Sequence, residues 1–255
     1  MESEKGLTAE AIETALDDAL IVIQNGGSTS MADRTYNNIL KGLKHTGITA
    51  IWRLDFVTVC IASGGQFVSI TRSVGNIGVN LVRASQAVLL GERAANGEIN
   101  TGSLVSEINR IRNLTTPYSR VIMIAAASFT CACFTQISKG DFGAFVIVCA
   151  AAGIGQFLRL LLIDKKIAVA TVTLICGILS ACIAAAGIRM GLTYTEPSLL
   201  ISSVFYMVPG LPLINGFVDM LSHKYLFIGL ERIANATFLY LVLAIAIAFA
   251  ITAIL

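Results

Sequence analysis

From Arg120 to the last residue the sequence is almost continuously apolar, and turn or charge signals divide this stretch into pieces of membrane-spanning length. Each piece approaches the ~20 residues that an α-helix needs to cross ~30 Å of hydrocarbon. The mean hydropathy of +0.77 is far above what a water-soluble core requires. We therefore predict an α-helical integral membrane protein with five spans, at about 121–137, 142–163, 167–188, 198–221 and 233–255.

The region before these spans has the composition of a folded, water-exposed domain. Residues 1–120 carry 22 of the 34 charged side chains. Apolar residues recur at spacings of three and four from Thr8 to Gln24, which predicts an amphipathic helix. Ser28 then has the character of an N-cap for a second helix that runs to about His45.

Two β-rich runs follow, and two further helical segments precede the membrane. Ile48–Ala62 and Gln66–Ser73 are rich in Val, Ile, Thr and Phe around Ser63-Gly64-Gly65, a pattern typical of a β-hairpin. Val79–Ala95 and Ser103–Leu114 return to the helical period. The predicted organisation is a cytoplasmic α+β domain of order ααββαα over residues 1–117 and a transmembrane domain over residues 118–255.

Basic residues at the ends of the spans predict the orientation. Cytoplasmic loops carry an excess of Lys and Arg, and one side of the membrane receives eight of these residues while the other receives only Lys139 and Arg189. The chain opens Met-Glu-Ser-Glu-Lys, without the pattern of a secretory signal. We expect a multi-pass protein of the bacterial inner membrane, with the N-terminus in the cytoplasm and Leu255 outside. The eight are Arg110, Arg112, Arg120, Arg159, Lys165, Lys166, Lys224 and Arg232.

The most informative motif lies inside the fourth predicted span. It reads Val208-Pro-Gly-Leu-Pro-Leu-Ile-Asn215. Pro209 and Pro212 remove backbone donors and clash with the preceding turn, and Gly210 lies between them, so the span should split or kink there. The break falls roughly 17–21 Å into the span, at ~1.5 Å per residue. Broken helices at this depth bind substrates in transporters, although a kink that only shapes helix packing is the alternative.

Three polar residues are candidates for substrate binding or gating near this break. Asn215 offers amide donors one turn later, or an interhelical hydrogen bond. Arg159 and Asp219 approach the cytoplasmic boundary and could form an ion pair that opens for a carboxylate substrate. The alternatives are that Arg159 extends to the lipid headgroups and that Asp219 is a solvated helix end. Gln156 could also face a pathway.

Other classes of chemistry lack the residues they need. The six cysteines form no CxxC pair and no Cys/His cluster, so we expect no metal and no redox role. The sequence has no P-loop, no cofactor motif and no basic stripe for nucleic acid. An intramembrane hydrolase built on Ser128, Cys131 and Asp219 would lack an activating His. We predict that the protein is not an enzyme and uses no cofactor.

Several of these motifs together resemble a known family. Pro209-Gly-Leu-Pro-Leu-Ile-Asn215 with Asp219, and Gly229-Leu-Glu-Arg232, are similar to the signature of the threonine/serine exporter family. Ser128-Phe-Thr-Cys-Ala-Cys-Phe134, and Thr71-Arg72 followed by the Leu81–Ala95 helix, resemble the larger subunit of its two-component, succinate-exporter branch. The resemblance covers nearly the whole chain in order.

The resemblance implies a cytoplasmic domain followed by about five membrane helices, with the rest of the transporter fused behind them or supplied by a small membrane subunit. The odd number of spans independently favours a half-transporter, since symmetric transporters need paired repeats. We therefore predict one subunit of a secondary-active exporter of small carboxylates, coupled to a proton or ion gradient. The substrates are succinate-like dicarboxylates, or threonine and serine. The alternative is a membrane ligand sensor without transport activity.

Overall fold

The computed structural model describes residues 2–45, 47–63 and 66–255, and the chain divides into two compact units. The N-terminal unit consists of Met1–Thr116 and Leu211–Ala234. The bundle unit consists of Pro117–Gly210 and Asn235–Leu255. The sequence did not predict that Leu211–Ala234 belong to the same compact unit as the N-terminal residues. The cytoplasmic and transmembrane assignment of residues 1–117 and 118–255 stays a prediction.

Helices make up most of the N-terminal unit. Ser28 has an extended backbone and its Oγ accepts a hydrogen bond from the Met31 amide at 3.3 Å, which confirms the predicted N-cap. The two helical segments before the membrane are also confirmed, with small shifts at their ends. The helices are α1 (Glu2–Gln24), α2 (Thr29–Gly42), α3 (Leu81–Ala95) and α4 (Thr101–Arg112).

The sheet contains one more strand than predicted. β1 (Ala50–Trp52), β2 (Phe56–Ser63) and β3 (Gln66–Ser73) form an antiparallel sheet of order β1-β2-β3. The run predicted as a single strand is interrupted by a turn closed by a 2.8 Å hydrogen bond from the Arg53 amide to the Phe56 carbonyl. The order ααββαα is therefore corrected to ααβββαα. The predicted turn at Gly64-Gly65 lies outside the described residues.

The core of the N-terminal unit forms where α1 and α2 pack with α3 and the sheet. α1 is buried around most of its circumference, since Leu16, Ile21 and Val22 point in different directions and all are almost inaccessible. Tyr36 of α2 packs edge-on against Trp52 of β1, with ring centroids 6.3 Å apart. Tyr225 and Ile228 belong to the same buried cluster.

The apolar half of the sequence forms helices of membrane-spanning length. By length and composition, four described helices can cross a membrane, and the fifth predicted span is a bent pair of shorter helices. This confirms a helical protein with four to five candidate membrane spans, and the crossing of the bent pair as one broken span stays a prediction. The helices are α5 (Arg120–Ile137), α6 (Phe142–Asp164), α7 (Val169–Arg189), α8 (Glu196–Ser203), α9 (Gly210–Leu221) and α10 (Leu226–Ile254).

Small residues bring the helices of the bundle unit close together. A Cβ added to Gly177 of α7 would lie 3.0 Å from the Ala246 Cβ of α10. A Cβ on Gly153 of α6 would lie 3.2 Å from the Ser128 Oγ of α5. Such close approach is typical of helix pairs in lipid, where van der Waals contact replaces the hydrophobic effect.

Asp141 connects two loops at one end of the bundle unit. Its carboxylate caps α6 by accepting from the Ala144 amide at 2.7 Å, and it also accepts from the Tyr194 amide at 2.8 Å. Thr193 Oγ1 donates to the same carboxylate. Because these donors stabilise the ionised form, the pKa of Asp141 lies below its ordinary value.

Candidate functional site

The predicted helix break is present, and each proline has a definable part in it. After α8, a single 3₁₀ turn (Phe205–Met207) leads to Val208 in an extended conformation. Pro209 follows and cannot continue the helical hydrogen bonding. α9 begins at Gly210, so Pro212 lies in the first turn, where an amide has no intrahelical acceptor to lose. Pro209 therefore ends the helical hydrogen bonding before the break, whereas Pro212 is compatible with the first turn of the next helix.

Arg159 is the charged residue of the bundle unit that most resembles a ligand-binding group. It is half-buried on α6, and its Nη1 donates to Oε1 of the buried Gln156 at 3.4 Å, one turn earlier. Among the described residues, no ion pair includes Arg159. A guanidinium in an apolar helix is costly unless it is paired, so this cation can gain from an incoming anion.

A network of hydroxyl groups lies within electrostatic range of Arg159. The Tyr206 hydroxyl, on the 3₁₀ turn of the break, lies 3.0 Å from Ser180 Oγ of α7. Arg159 interacts electrostatically with Tyr206 and Cys176. Gly155 permits the approach, because a Cβ there would overlap both the Tyr206 and the Ser180 hydroxyl oxygens. One cation, an amide and two hydroxyls thus come together beside the helix break.

This group of residues suits recognition of a carboxylate. Guanidinium presents N–H donors in a planar fork that matches the two oxygens of a carboxylate, and hydroxyl and amide groups can donate to oxygens that remain. We name Gln156, Arg159, Ser180 and Tyr206 the Arg159 cluster. Pro209 and Gly210, which belong to the same unit, complete the break beside Tyr206.

Pro212, Asn215 and Asp219 belong to the N-terminal unit. Asn215 Nδ2 donates to the Gly26 carbonyl at 2.8 Å. Asp219 is fully buried and accepts from the backbone amides of Thr29 and Ser30, both at 3.2 Å. These contacts lie at the turn between α1 and α2.

The cation beside Asp219 is Arg232, which the sequence analysis did not predict. Arg232 Nε lies 3.2 Å from the Asp219 carboxylate, in a contact that is ionic without being aligned as a hydrogen bond. The guanidinium also donates from Nη2 to Thr29 Oγ1 at 3.4 Å. Arg159 belongs to the other unit, so its predicted pairing with Asp219 stays a prediction.

Sequence reasoning did not single out Ser180, Tyr206 and Arg232. Tyr206 could have been found as the polar residue nearest to the proline break. Gln156, three residues before Arg159, could have been joined to it by helical spacing, since residues three apart share a helix face. Ser180 gave no signal, because its contact with Tyr206 depends on tertiary packing.

Four apolar helices long enough to cross a membrane, with a half-buried cation beside a helix break, are typical of multi-pass membrane transporters. A profile of the family described as "Putative threonine/serine exporter" matches residues 13–254. The chain belongs to this family, as its motifs indicated.

Two curated proteins are similar to the chain along its whole length. It is 21% identical to the "Probable succinate transporter subunit YjjP" of Klebsiella aerogenes, over 99% of this chain and 97% of that protein. It is 22% identical to the protein of the same name from Escherichia coli K12, over 98% and 96%. No solved structure matches the chain significantly. The family places the chain among membrane exporters, and the names of the two relatives describe those proteins as transporter subunits.

Proposed function

We propose that this exporter subunit moves small carboxylates out of the cytoplasm, with succinate-like dicarboxylates as the first candidates and threonine or serine as the second. The observation that carries the proposal is the guanidinium of Arg159, which has no carboxylate partner among the described residues and lies beside Gln156 and Tyr206. The names of the two relatives, which are called succinate transporter subunits, favour the dicarboxylate. Every one of these substrates presents at least one carboxylate to such a site.

In this proposal the predicted site residues have two different roles. Arg159 binds the substrate carboxylate, and the break at Pro209 and Gly210 supplies backbone groups at the same site, since backbone released from a helix in a membrane must find a polar partner. Pro212, Asn215 and Asp219 act in gating. Transport proceeds by alternating access and is driven by a proton or ion gradient, because the sequence contains no nucleotide-binding motif.

We further propose that a small integral membrane subunit completes the pathway. The relatives are named as subunits, and counting the bent pair as one span beside the four continuous described helices gives an odd number for a transporter. The experiment is flux in liposomes. A short gene for a small membrane protein should lie beside the gene of this chain. Vesicles that contain both proteins should export labelled succinate, whereas vesicles with this chain alone should show no flux above protein-free vesicles.

The outcomes of this experiment separate the two candidate functions. Robust efflux from the chain alone would contradict the need for a second subunit. Saturable binding of succinate without flux in the two-component vesicles would contradict transport and support a ligand sensor. Serine and threonine in parallel vesicles decide between the substrate classes, because a dicarboxylate site that uses both acid groups should carry them more slowly.

The proposed orientation has its own test. We expect the protein in the inner membrane with the N-terminus in the cytoplasm and Leu255 outside, since the basic residues of the loops are concentrated on one side. A periplasm-active reporter fused after Leu255 should be active, and the same reporter fused after Lys165 should be silent. The opposite activities would invert the topology.

A further inference from the structure

In the hairpin formed by Leu211–Ala234, α9 buries a polar face and exposes an apolar one. Asn215, Gly216 and Asp219 are the buried residues of α9. Buried polar groups are stable only when protein partners satisfy them, so this hairpin must be held against polar groups of its own unit. The exposed apolar residues on α9 are Ile214, Phe217, Val218 and Leu221.

The residues that bind the hairpin lie just before α2 and in its first turns. Asn215 reaches the Gly26 carbonyl, and Asp219 reaches the amides of Thr29 and Ser30. One turn further along α2, Lys224 Nζ lies 2.8 Å from Asp33 Oδ2. These contacts recur at intervals of three or four residues, so they share one side of the helix start.

Asp219 occupies the position that a bound anion would take at a helix N-terminus. The first amides of a helix have no intrahelical acceptor and carry partial positive charge. Ser28 caps the Met31 amide with its own side chain, while Asp219 satisfies the two preceding amides from a distant part of the chain. Arg232, which is 5% exposed, balances the carboxylate. A buried pair needs all of these partners, since either charge alone would be strongly destabilising.

Close glycine contacts fix Arg232 opposite Asp219. A Cβ on Gly216 of α9 would lie 3.0 Å from the Gly229 carbonyl oxygen and 2.8 Å from Ile233 Cγ1 of α10. A Cβ on Gly229 would lie 2.6 Å from the Gly216 carbonyl oxygen. The two helices therefore cross with almost no space between their backbones.

We propose that this hairpin is a latch: Asn215, Asp219 and Arg232 are positioning residues that fasten it to the start of α2, and export depends on the latch being closed. The chain enters the hairpin directly after the break at Pro209-Gly210 and leaves it within α10. The hairpin and the break are thus consecutive in the chain. The inference rests on the proposed function for its effect on export, but the latch itself can be tested without it.

The test uses two variants that open the latch from opposite sides. Asp219→Asn removes the charge from the hairpin. Thr29→Pro removes from α2 one amide donor and the Oγ1 acceptor of Arg232. The first helical position favours proline, and Ser28 before it already has the extended backbone (φ −75°, ψ 161°) that a following proline requires. Glu92→Gln, in an exposed pair with Arg34, is the matched control in the same unit.

Amide hydrogen exchange on the full-length chain measures whether the hairpin is held at the start of α2. Succinate flux in the two-component vesicles measures whether export depends on that attachment. Both variants should accelerate exchange in residues 26–33 and 211–225 by at least about tenfold, the lower end of the loss expected for a hydrogen bond to a charged group. Asp219→Asn should have the larger effect, because it also leaves the buried Arg232 without its counter-charge. The maximal rate of export should fall while the apparent KM stays unchanged. The double variant should lose no more export than the more severe single variant, because both substitutions break the same contact between Asp219 and the start of α2. Glu92→Gln should alter neither.

Other results would overturn the latch. Unchanged exchange in the Asp219→Asn protein would show that the carboxylate does not hold α2. A raised apparent KM with normal maximal export would place Asp219 at the substrate instead, and additive effects of the two variants would separate Asp219 from Thr29. Because exchange needs no substrate, an absence of flux in the wild-type vesicles would refute the proposed function while leaving the latch to be decided by exchange alone.

Discussion

Replacing Arg159 with glutamine is expected to reduce carboxylate export in two-component vesicles by about 10- to 150-fold, the range that corresponds to roughly 1.5–3 kcal/mol for a hydrogen bond to a charged group. Glutamine retains hydrogen-bonding capacity but has no charge. Arg159→Lys should fall between wild type and Arg159→Gln, because an ammonium keeps the charge and loses the planar fork. Initial rates of labelled succinate efflux, measured across substrate concentrations, provide the comparison.

A stability measurement separates binding from folding in this experiment. Within the described residues Arg159 has no carboxylate partner, so its removal leaves no buried charge unpaired, and a membrane-embedded guanidinium is itself costly. The thermal unfolding temperature of Arg159→Gln should therefore equal or exceed that of wild type. Arg120→Gln is the matched control, because Arg120 forms an exposed pair with Asp164 at 2.7 Å. Normal export by Arg159→Gln would show that the binding charge comes from elsewhere.

Local patterns predicted most of the helices because their causes are local. The Ser28 cap requires only the next few residues, and the spans follow from runs of apolar side chains. The proline break was predictable for the same reason, since a missing amide acts on its own turn. The division of the first β run at Arg53 was missed, because β-branched residues on both sides concealed a short turn.

The partners of buried charges were not predictable in the same way. Asp219 contacts backbone amides 189 and 190 residues away, and backbone amides have no sequence signature. Arg232 was visible within the Gly229-Leu-Glu-Arg232 motif, but only the hairpin geometry joins it to Asp219. The burial of α9 was also not predictable from its pattern. An amphipathic helix is expected to bury its apolar face, but α9 buries its polar face.

Asp18 is a second buried charge that periodicity did not reveal, and it should control the pH dependence of stability. It is inaccessible to solvent on α1, and within the described residues neither carboxylate oxygen has a hydrogen-bond partner. Burial without compensation raises the pKa of Asp18 to about 8. At neutral pH the folded protein therefore holds this carboxyl in its protonated form.

The sign of the effect follows from proton binding. Between about pH 4 and pH 8 the unfolded chain releases the Asp18 proton, because its pKa there is about 3.9, while the folded chain keeps it. The free energy of unfolding should fall as pH rises, by about 1.4 kcal/mol per unit across this window, which amounts to about 4 kcal/mol at pH 7. Below pH 4 both states are protonated, and the full stability is present.

Asp18→Asn should remove this dependence, because asparagine has a similar shape and no proton to lose. We expect a higher thermal unfolding temperature than wild type at pH 8, little difference at about pH 4, and a flatter profile between them. The neighbouring Asp17 provides the control, since it is half-exposed and pairs with Arg112 at 3.3 Å; Asp17→Asn should shift stability by less than about 1 kcal/mol, the range of surface ion pairs. Thermal unfolding of the full-length chain at four pH values measures all three proteins. If Asp18→Asn follows the wild-type profile, Asp18 is not a buried neutral acid, and the packing of α1 against its neighbours must admit water or a counter-ion there.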